Sequence, residues 1–418
     1  MLTKIPPVAP AALRTAWLVL GLVAIANFGN FYVYDSIGPI ADLLQRLRGF
    51  TDTQIGMLNA IYSLPNVVLL LVGGVLVDRL GVGRMMFWTA AICFAGAILT
   101  AVAESFAGMA AGRLLFGIGA ETFNIATLAA IVRFAPVGHP ALAIGISLSL
   151  GRAGAFSVDM SPTWFAGAYA GGWQPPLVIA AAFAGVSLAM AYAYWRIERR
   201  QGPRLEAVPV APVVAWTDLY RFGPAYWYLV ALCALWYAVI YAFRSTFSIK
   251  YFQHAHGLDL ATAGAINGYV FLAAIFATPF FGWLCDRIGR HAQLLALGSL
   301  LLPVAIATLA VGQSLGLGRV LIGVSYSLEP AVMWPFSARI VPAARYGTAV
   351  GLMWVAENGG IAGANLVAGR LNDHFGASAA NPAGYEPMMT FFFVAATLGF
   401  LCALLLWRTV GRRAQQPA

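Results

Sequence analysis

Twelve apolar stretches follow one another along this chain, with only short polar joints between them. They lie at about 15–40, 54–77, 85–104, 107–130, 141–168, 174–196, 224–249, 260–285, 292–312, 316–338, 345–369 and 388–409. Each approaches the roughly 20 residues a helix needs to cross a hydrocarbon core about 30 Å thick. Barrel strands are shorter, about 10 residues, and alternate in polarity, which these stretches do not. Where no water reaches the backbone, every N–H and C=O must be satisfied within its own segment, and helices do this. Composition points the same way: 61% of residues are hydrophobic and 10% charged, against about 25% charged in soluble domains. The first stretch runs on through Tyr32 and Asp35, with no small-residue cleavage site leading into a soluble domain, so it reads as a span. The expected fold class is an all-α membrane protein with twelve transmembrane helices.

The net charge of +9 is unevenly placed. Seventeen of the 25 basic residues fall in the segments on one side, among them Lys4, Arg14, Arg133, Arg196, Arg199, Arg200, Arg339, Arg408 and Arg412. Arg46, Arg48, Arg113, Lys250, Arg319 and Arg370 are expected at the other face, and Arg152 and Arg244 within spans. Excess Lys and Arg mark the cytoplasmic side, so both termini are expected there. The basic excess is then a topology signal with some attraction to anionic lipid, and no nucleic-acid partner is expected. Cys93, Cys233, Cys285 and Cys402 lie in or at the ends of spans without a CxxC pair, and read as small apolar fillers. His139, His254, His256, His291 and His374 fall in loops or at span ends, so neither a metal nor a cofactor is expected.

The chain repeats itself. "GGVLVDRLGVGR" (73–84) returns as "GWLCDRIGRH" (282–291), "AGRLLFGIG" (111–119) as "LGRVLIGVS" (317–325), and "ALAIGISLSLGRAG" (141–154) as "GTAVGLMWVAENGG" (347–360). The offsets are 208, 206 and 206. Three matches in order define two pseudo-symmetric six-helix halves, 1–196 and 224–418, joined by the Pro- and Arg-bearing linker 197–223. Both halves start on the same side, which makes them parallel repeats.

At these residues the chain resembles the major facilitator superfamily, whose signature is Gly-x-Leu-x-Asp-Arg-x-Gly between spans two and three. Gly74, Asp78, Arg79 and Arg84 carry it here, with a weaker copy at Asp286 and Arg287. As a gating latch, Asp78 would pair with the arginines and release them as the halves rock; the plain alternative is a tight turn among positive-inside charges. Within that superfamily, "YDSIGPI" (34–40), "YSLPNVVLLLVGGVLVDR" (62–79), "GRLLFGIGAETFNIA" (112–126), "SLGRAG" (149–154) and "GVSYSLEPAVMWPFSARIVP" (323–342) resemble lysosomal dipeptide carriers of the major facilitator domain-containing protein 1 type. Arg244 and the stretch Gln253–His256 depart from that pattern, and the N-terminus lacks an acidic dileucine signal.

An ionisable side chain at the bilayer centre costs about 3 kcal/mol on insertion scales, so it points into the bundle or a wet cavity. The candidates are Asp35, Glu121, Arg152, Asp159, Arg244, Glu329 and Glu357. Glu121 and Arg152 are read either as a structural ion pair or as ligand groups. The resemblance implies the second, with Glu121 taking a ligand ammonium and Arg152 its carboxylate. Guanidinium suits that task because it forks onto both oxygens. Asp35 either assists at the ammonium, gates, or caps an outer turn; Asp159 shares a helix face with Arg152 or caps the segment before Pro162. Aromatic candidates for the pocket wall are Tyr32, Tyr62, Tyr237, Tyr241, Tyr326, Trp334 and Trp354, the tyrosines being equally suited to an interfacial belt.

No nucleophile elbow, HExxH or Walker A sequence appears, which disfavours an enzyme or an ATP-driven motor. The expected function is secondary transport of a small zwitterion, dipeptides foremost, by alternating access, as a uniporter. The competing readings are a proton-coupled carrier of organic anions, with Arg152 and Arg244 as an anion clamp, or of drug-like solutes. The expected setting is a monomer in the lipid bilayer of a bacterial inner membrane.

Overall fold

The computed structural model describes residues 10–66, 69, 76–77, 79–134, 140–201, 222–312, 314–342 and 345–414. They form a wholly helical bundle whose long elements are α1 (Pro10–Asp35), α2 (Asp52–Ser63), α3 (Val82–Val102), α4 (Phe106–Phe134), α5 (Pro140–Trp164) and α6 (Gln174–Gln201) in the first half. The second half contains α7 (Pro224–Val239), α8 (Leu260–Ile288), α9 (His291–Val311), α10 (Leu315–Ile340), α11 (Tyr346–His374) and α12 (Glu386–Ala414). Eight helical segments among the described residues are long and apolar enough to cross a membrane. The four elements outside that set are α2, α5, α10 and α11. Three of them carry Arg152, Asp159, Arg319, Glu329 and Glu357, and α2 has twelve residues, fewer than a span needs.

Helix direction alternates, so residues 10 and 414 lie on one face, the terminal face. The joints around 36–51, 103–105, 257–259 and 375–385 lie on the other, the distal face. The first span is shorter than 15–40. It ends at Asp35, and Gly38–Ile40 and Ala41–Arg48 then form separate short turns of helix. Pro39 explains the break, since it lacks the N–H a continuing helix would use. α2 starts sharply because Thr51 and Gln54 form a reciprocal capping box. α6 runs on past residue 196 to Gln201. α7 is prolonged by a π-helical stretch, Ile240–Phe247, and a further turn, Ser248–His256.

The two halves repeat in packing as well as in sequence. On α4, Gly117 lies against Tyr62 of α2; 206 residues later, Gly323 on α10 lies against Val270 of α8. On α5, Gly154 lies against Phe28 of α1; Gly360 on α11 lies against Ala234 of α7. A Cβ at any of these four glycines would meet a backbone carbonyl, so close helix approach excludes a side chain there. The halves meet along two seams, α2 against α11 and α5 against α8. Each seam joins elements that are not equivalent within the repeat, as a two-fold axis along the bundle requires.

Three cations expected at the outer face are placed differently. Arg113, Lys250 and Arg319 are buried within the bundle below the distal face. Their stretches read as polar ends in sequence, yet neighbouring helices enclose them.

Candidate functional site

At mid-bundle, between the halves, lies a cavity of about 280 Å³. That is near the lower end of small-molecule pockets, which run from about 300 to 1,000 Å³. Its walls come from α1 (Asn30, Tyr34), the end of α2 (Tyr62, Ser63), α4 (Glu121, Asn124, Leu128), α7 (Tyr241) and α11 (Trp354, Glu357, Asn358). Glu121 faces it. Its Oε1 accepts from the Tyr62 hydroxyl at 3.1 Å and from Asn66 Nδ2 at 3.1 Å. Asn66 also donates to Asn358 Oδ1 at 3.0 Å, which carries the network into the other half. Among the described residues, no Arg, Lys or His lines this cavity.

Arg152 does not pair with Glu121. Its guanidinium donates to the Thr278 hydroxyl and, at 3.3 Å, to the Ala274 carbonyl, both on α8. It also lies over the Tyr326 ring at 5.2 Å. Tyr326 shares a 3.1 Å hydrogen bond with Tyr241, which does line the cavity. The Tyr326 and Tyr241 rings therefore stand between Arg152 and the pocket, and the ion-pair reading of Glu121 and Arg152 has no geometric basis. Trp334 reaches Tyr237 through its Nε1 at 3.4 Å and packs on Trp354 at 5.9 Å. Tyr32 packs against Phe183 in a tilted arrangement within the first half and is absent from the cavity wall.

Toward the distal face the halves are locked by buried polar groups. Arg244, on the π-helical stretch of α7, donates to both Asp35 of α1 and Asp159 of α5. All three side chains are at most 3% exposed. Arg244 thus bridges two carboxylates and is not half of an open anion clamp with Arg152. Asn267 Nδ2 holds the remaining oxygen of Asp159 at 2.9 Å. Nearer the surface Lys250 pairs with Asp52. Asp373 accepts from the Asp52 and Thr53 amides at 2.7 and 2.8 Å, capping α2 from across the seam. His254 meets Asp42 at 2.8 Å, and Asn59, Thr246 and Asn365 form a chain with 2.7 Å links.

The repeat-related arginines diverge. Arg113 donates to the carbonyls of Val33, Tyr34 and Leu58 and to Asn59 Oδ1. Arg319, fully buried, lies over Phe243 and Phe252 at 4.9 and 4.6 Å, and its three guanidinium nitrogens have no hydrogen-bond partner. Glu329 is expected among the cavity groups but accepts from Ser299 on α9, between α9 and α10 within the second half. Of the latch residues, Gly74 and Asp78 lie outside the described residues, as does the Asp286 side chain. Arg79, Arg84 and Arg287 are exposed on the terminal face, Arg287 over the Trp283 ring at 5.2 Å.

Sequence reasoning centred on charges passed over the asparagines. Asn59, Asn66, Asn267, Asn358 and Asn365 supply much of the network joining the carboxylates and the two halves, and Asn30 and Asn124 line the cavity. The available signal was an amide inside an apolar run, where an unpaired polar group is costly.

Two six-helix repeats around a mid-membrane polar cavity, closed at one face, define an integral membrane secondary transporter for a small molecule, not an enzyme. The chain belongs to the Major Facilitator Superfamily, whose model matches residues 23–249 and 237–418. It is 28% identical over 439 residues to the lysosomal dipeptide transporter MFSD1 of Bos taurus, covering 97% of this chain and 90% of that one. The Homo sapiens protein of the same name is likewise 28% identical, with 95% and 87% covered. Among solved structures, a bacterial homolog of the human lysosomal transporter Spinster, inward-facing and unoccupied, has the same fold. Its TM-score is 0.78 at 16% identity, covering 98% of this chain and 100% of that one.

Proposed function

We propose that this chain carries free dipeptides across the membrane by alternating access between its two halves. The observation that carries the reading is Glu121, a carboxylate presented by Tyr62 and Asn66 to a small cavity with no Arg, Lys or His among its described lining residues. Such a site calls for an ammonium. Arg152, behind the Tyr326 and Tyr241 rings on a half-buried helix face, takes the ligand's carboxylate by leaving Thr278 as the halves move. The name shared by the MFSD1 relatives supports the substrate class. The distal seal and the placement of basic residues support an orientation with both termini cytoplasmic in a bacterial inner membrane, the cavity serving the cytoplasmic side in this state. The engagement of Arg244 by Asp35 and Asp159 weighs against an organic-anion clamp. Asp35 is then a gate residue, not a ligand group. Transport as a monomeric uniporter completes the reading.

Thermal stabilisation of the purified protein by Ala-Ala tests the reading, since a ligand stabilises the state it binds. Charged hydrogen bonds contribute about 1.5–3 kcal/mol, so Glu121→Gln should weaken binding roughly ten- to a hundredfold. N-acetylated Ala-Ala should bind wild type and Glu121→Gln equally. Ala-Ala binding as tight in Glu121→Gln as in wild type would reject the assignment.

A further inference from the structure

We infer that α3 and α6 form a headgroup site for an anionic phospholipid in the leaflet at the terminal face. The outward faces of both helices carry aromatic rings, with guanidinium groups about one turn nearer the surface. On α6, Trp195, Arg196 and Arg199 follow Tyr192 at offsets that place all four on one helix face. On α3, which runs the other way, Arg84 precedes Phe87 and Trp88 at matching offsets. Trp88 is 57% and Tyr192 43% exposed, so these rings face lipid. The rings hold one another: Phe87 stacks on Trp195 at 5.1 Å and meets Trp88 and Tyr192 at 5.3 and 5.8 Å. Arg199 lies over the Trp195 ring at 5.5 Å. Arg196 lies over the Tyr192 ring at 5.8 Å and donates to its hydroxyl at 3.0 Å.

The nearest carboxylate in sequence is engaged elsewhere. Glu198 accepts from Arg133 of α4 and, at 2.8 Å, from the Gly83 amide at the start of α3. A Cβ at Gly83 would meet both Glu198 and Trp195, so this contact pins the two helix ends in register. Arg84, Arg196 and Arg199 are exposed, and none of them pairs with a carboxylate among the described residues. Uncompensated guanidinium groups above lipid-facing rings fit a phosphodiester whose acyl chains lie against the rings. An acidic protein segment would match the charge but would leave the deeper rings unused. The positive-inside rule serves both halves and does not account for the difference between them. In the second half α12 carries the exposed pair Trp407 and Arg408, but α9 begins with His291-Ala-Gln-Leu-Leu-Ala-Leu and offers no Phe, Tyr, Trp or Arg in its first two turns.

Native mass spectrometry of the purified full-length transporter, titrated with phosphatidylglycerol and phosphatidylcholine of identical acyl chains, tests the site. Wild type should retain phosphatidylglycerol in preference to phosphatidylcholine. The double variant Arg196→Gln/Arg199→Gln should weaken phosphatidylglycerol binding roughly fivefold for each arginine removed, the factor expected of one basic residue at an anionic surface. Its phosphatidylcholine binding should stay within about twofold of wild type, which also reports an intact fold. Arg408→Gln, which removes an arginine beside a ring on α12, should change phosphatidylglycerol binding by less than about twofold. No preference in wild type, equal losses of both lipids in the double variant, or an equal loss per arginine in Arg408→Gln would each overturn the inference, the last by showing that only diffuse charge attracts the lipid. A polyglutamate peptide that binds wild type but not the double variant, with no lipid preference in either, would overturn it in favour of an acidic protein partner.

Discussion

Each buried ion in this protein is decided by what its few neighbours offer. Arg244 has two carboxylates, Arg113 a cage of carbonyls, and Arg319 only aromatic faces. Removing one partner from a buried ion pair costs about 3–5 kcal/mol, because the other charge is left uncompensated. Arg244→Gln strands both Asp35 and Asp159 and should lower the melting temperature strongly. Asp35→Asn leaves the Asp159 contact in place and should cost less. A melting series of the two variants checks the order, and equal losses would mean that Asp35 carries the lock alone. For Arg319 the expectation is reversed. Its guanidinium makes no hydrogen bond, so Arg319→Met should be tolerated, whereas Arg113→Met should unfold the first half. The charged residues in the spans were legible in sequence as buried; their partners were not. Glu121 and Arg152 lie on neighbouring spans, yet one turns to Tyr62 and the other to Thr278, because helix rotation, not span order, sets the direction of a side chain.

Helix ends do the closing. α2 is capped locally by Thr51 and Gln54, and again from the other half by Asp373. A carboxylate at a helix N-terminus satisfies orphan amides and complements the helix dipole. Asp373→Ala should therefore destabilise the closed distal face by about 1–2 kcal/mol. Spin-label distances across that face should lengthen or broaden in the variant, and unchanged distances would remove Asp373 from the lock. At the start of α8, Asp259 accepts from the Thr262 amide at 3.0 Å and its hydroxyl at 2.6 Å, which holds this exposed carboxyl below the usual range. A depressed folded-state pKa stabilises above the unfolded value of about 3.9 and is lost as pH falls. Asp259→Ala should thus lower stability by about 1 kcal/mol at neutral pH and by progressively less as pH falls below about 3.9, as melting curves at neutral and acid pH would show. The capping box at Thr51 was readable as a local motif; the Asp373 cap, 321 residues from Asp52, was not.

For the whole molecule, the proposed orientation has a direct check. Cys93, Cys233 and Cys285 are buried, so once the half-buried Cys402 is replaced by Ser, single cysteines introduced at the exposed positions Arg200 and Ala380 should report cleanly. Ala380→Cys should label in intact cells, and Arg200→Cys only after permeabilisation; the reverse pattern would invert the topology. The apolar runs determined the helices because a backbone in lipid has no other way to satisfy itself, and the 206-residue repeat determined the two halves. Those features are local or periodic, so they are written along the chain. Tertiary structure alone decided that Arg113, Lys250 and Arg319 are enclosed, that Arg244 bridges two carboxylates, and that Glu121 and Glu357 share one cavity. The cages of Arg113 and Arg319 form within one half, whereas the Arg244 bridge, the Lys250–Asp52 pair and the shared cavity depend on packing between the halves, which brings together residues up to about 320 positions apart. A polar group in a span announces that it needs a partner; only the packing of helices from both halves determines which partner it meets.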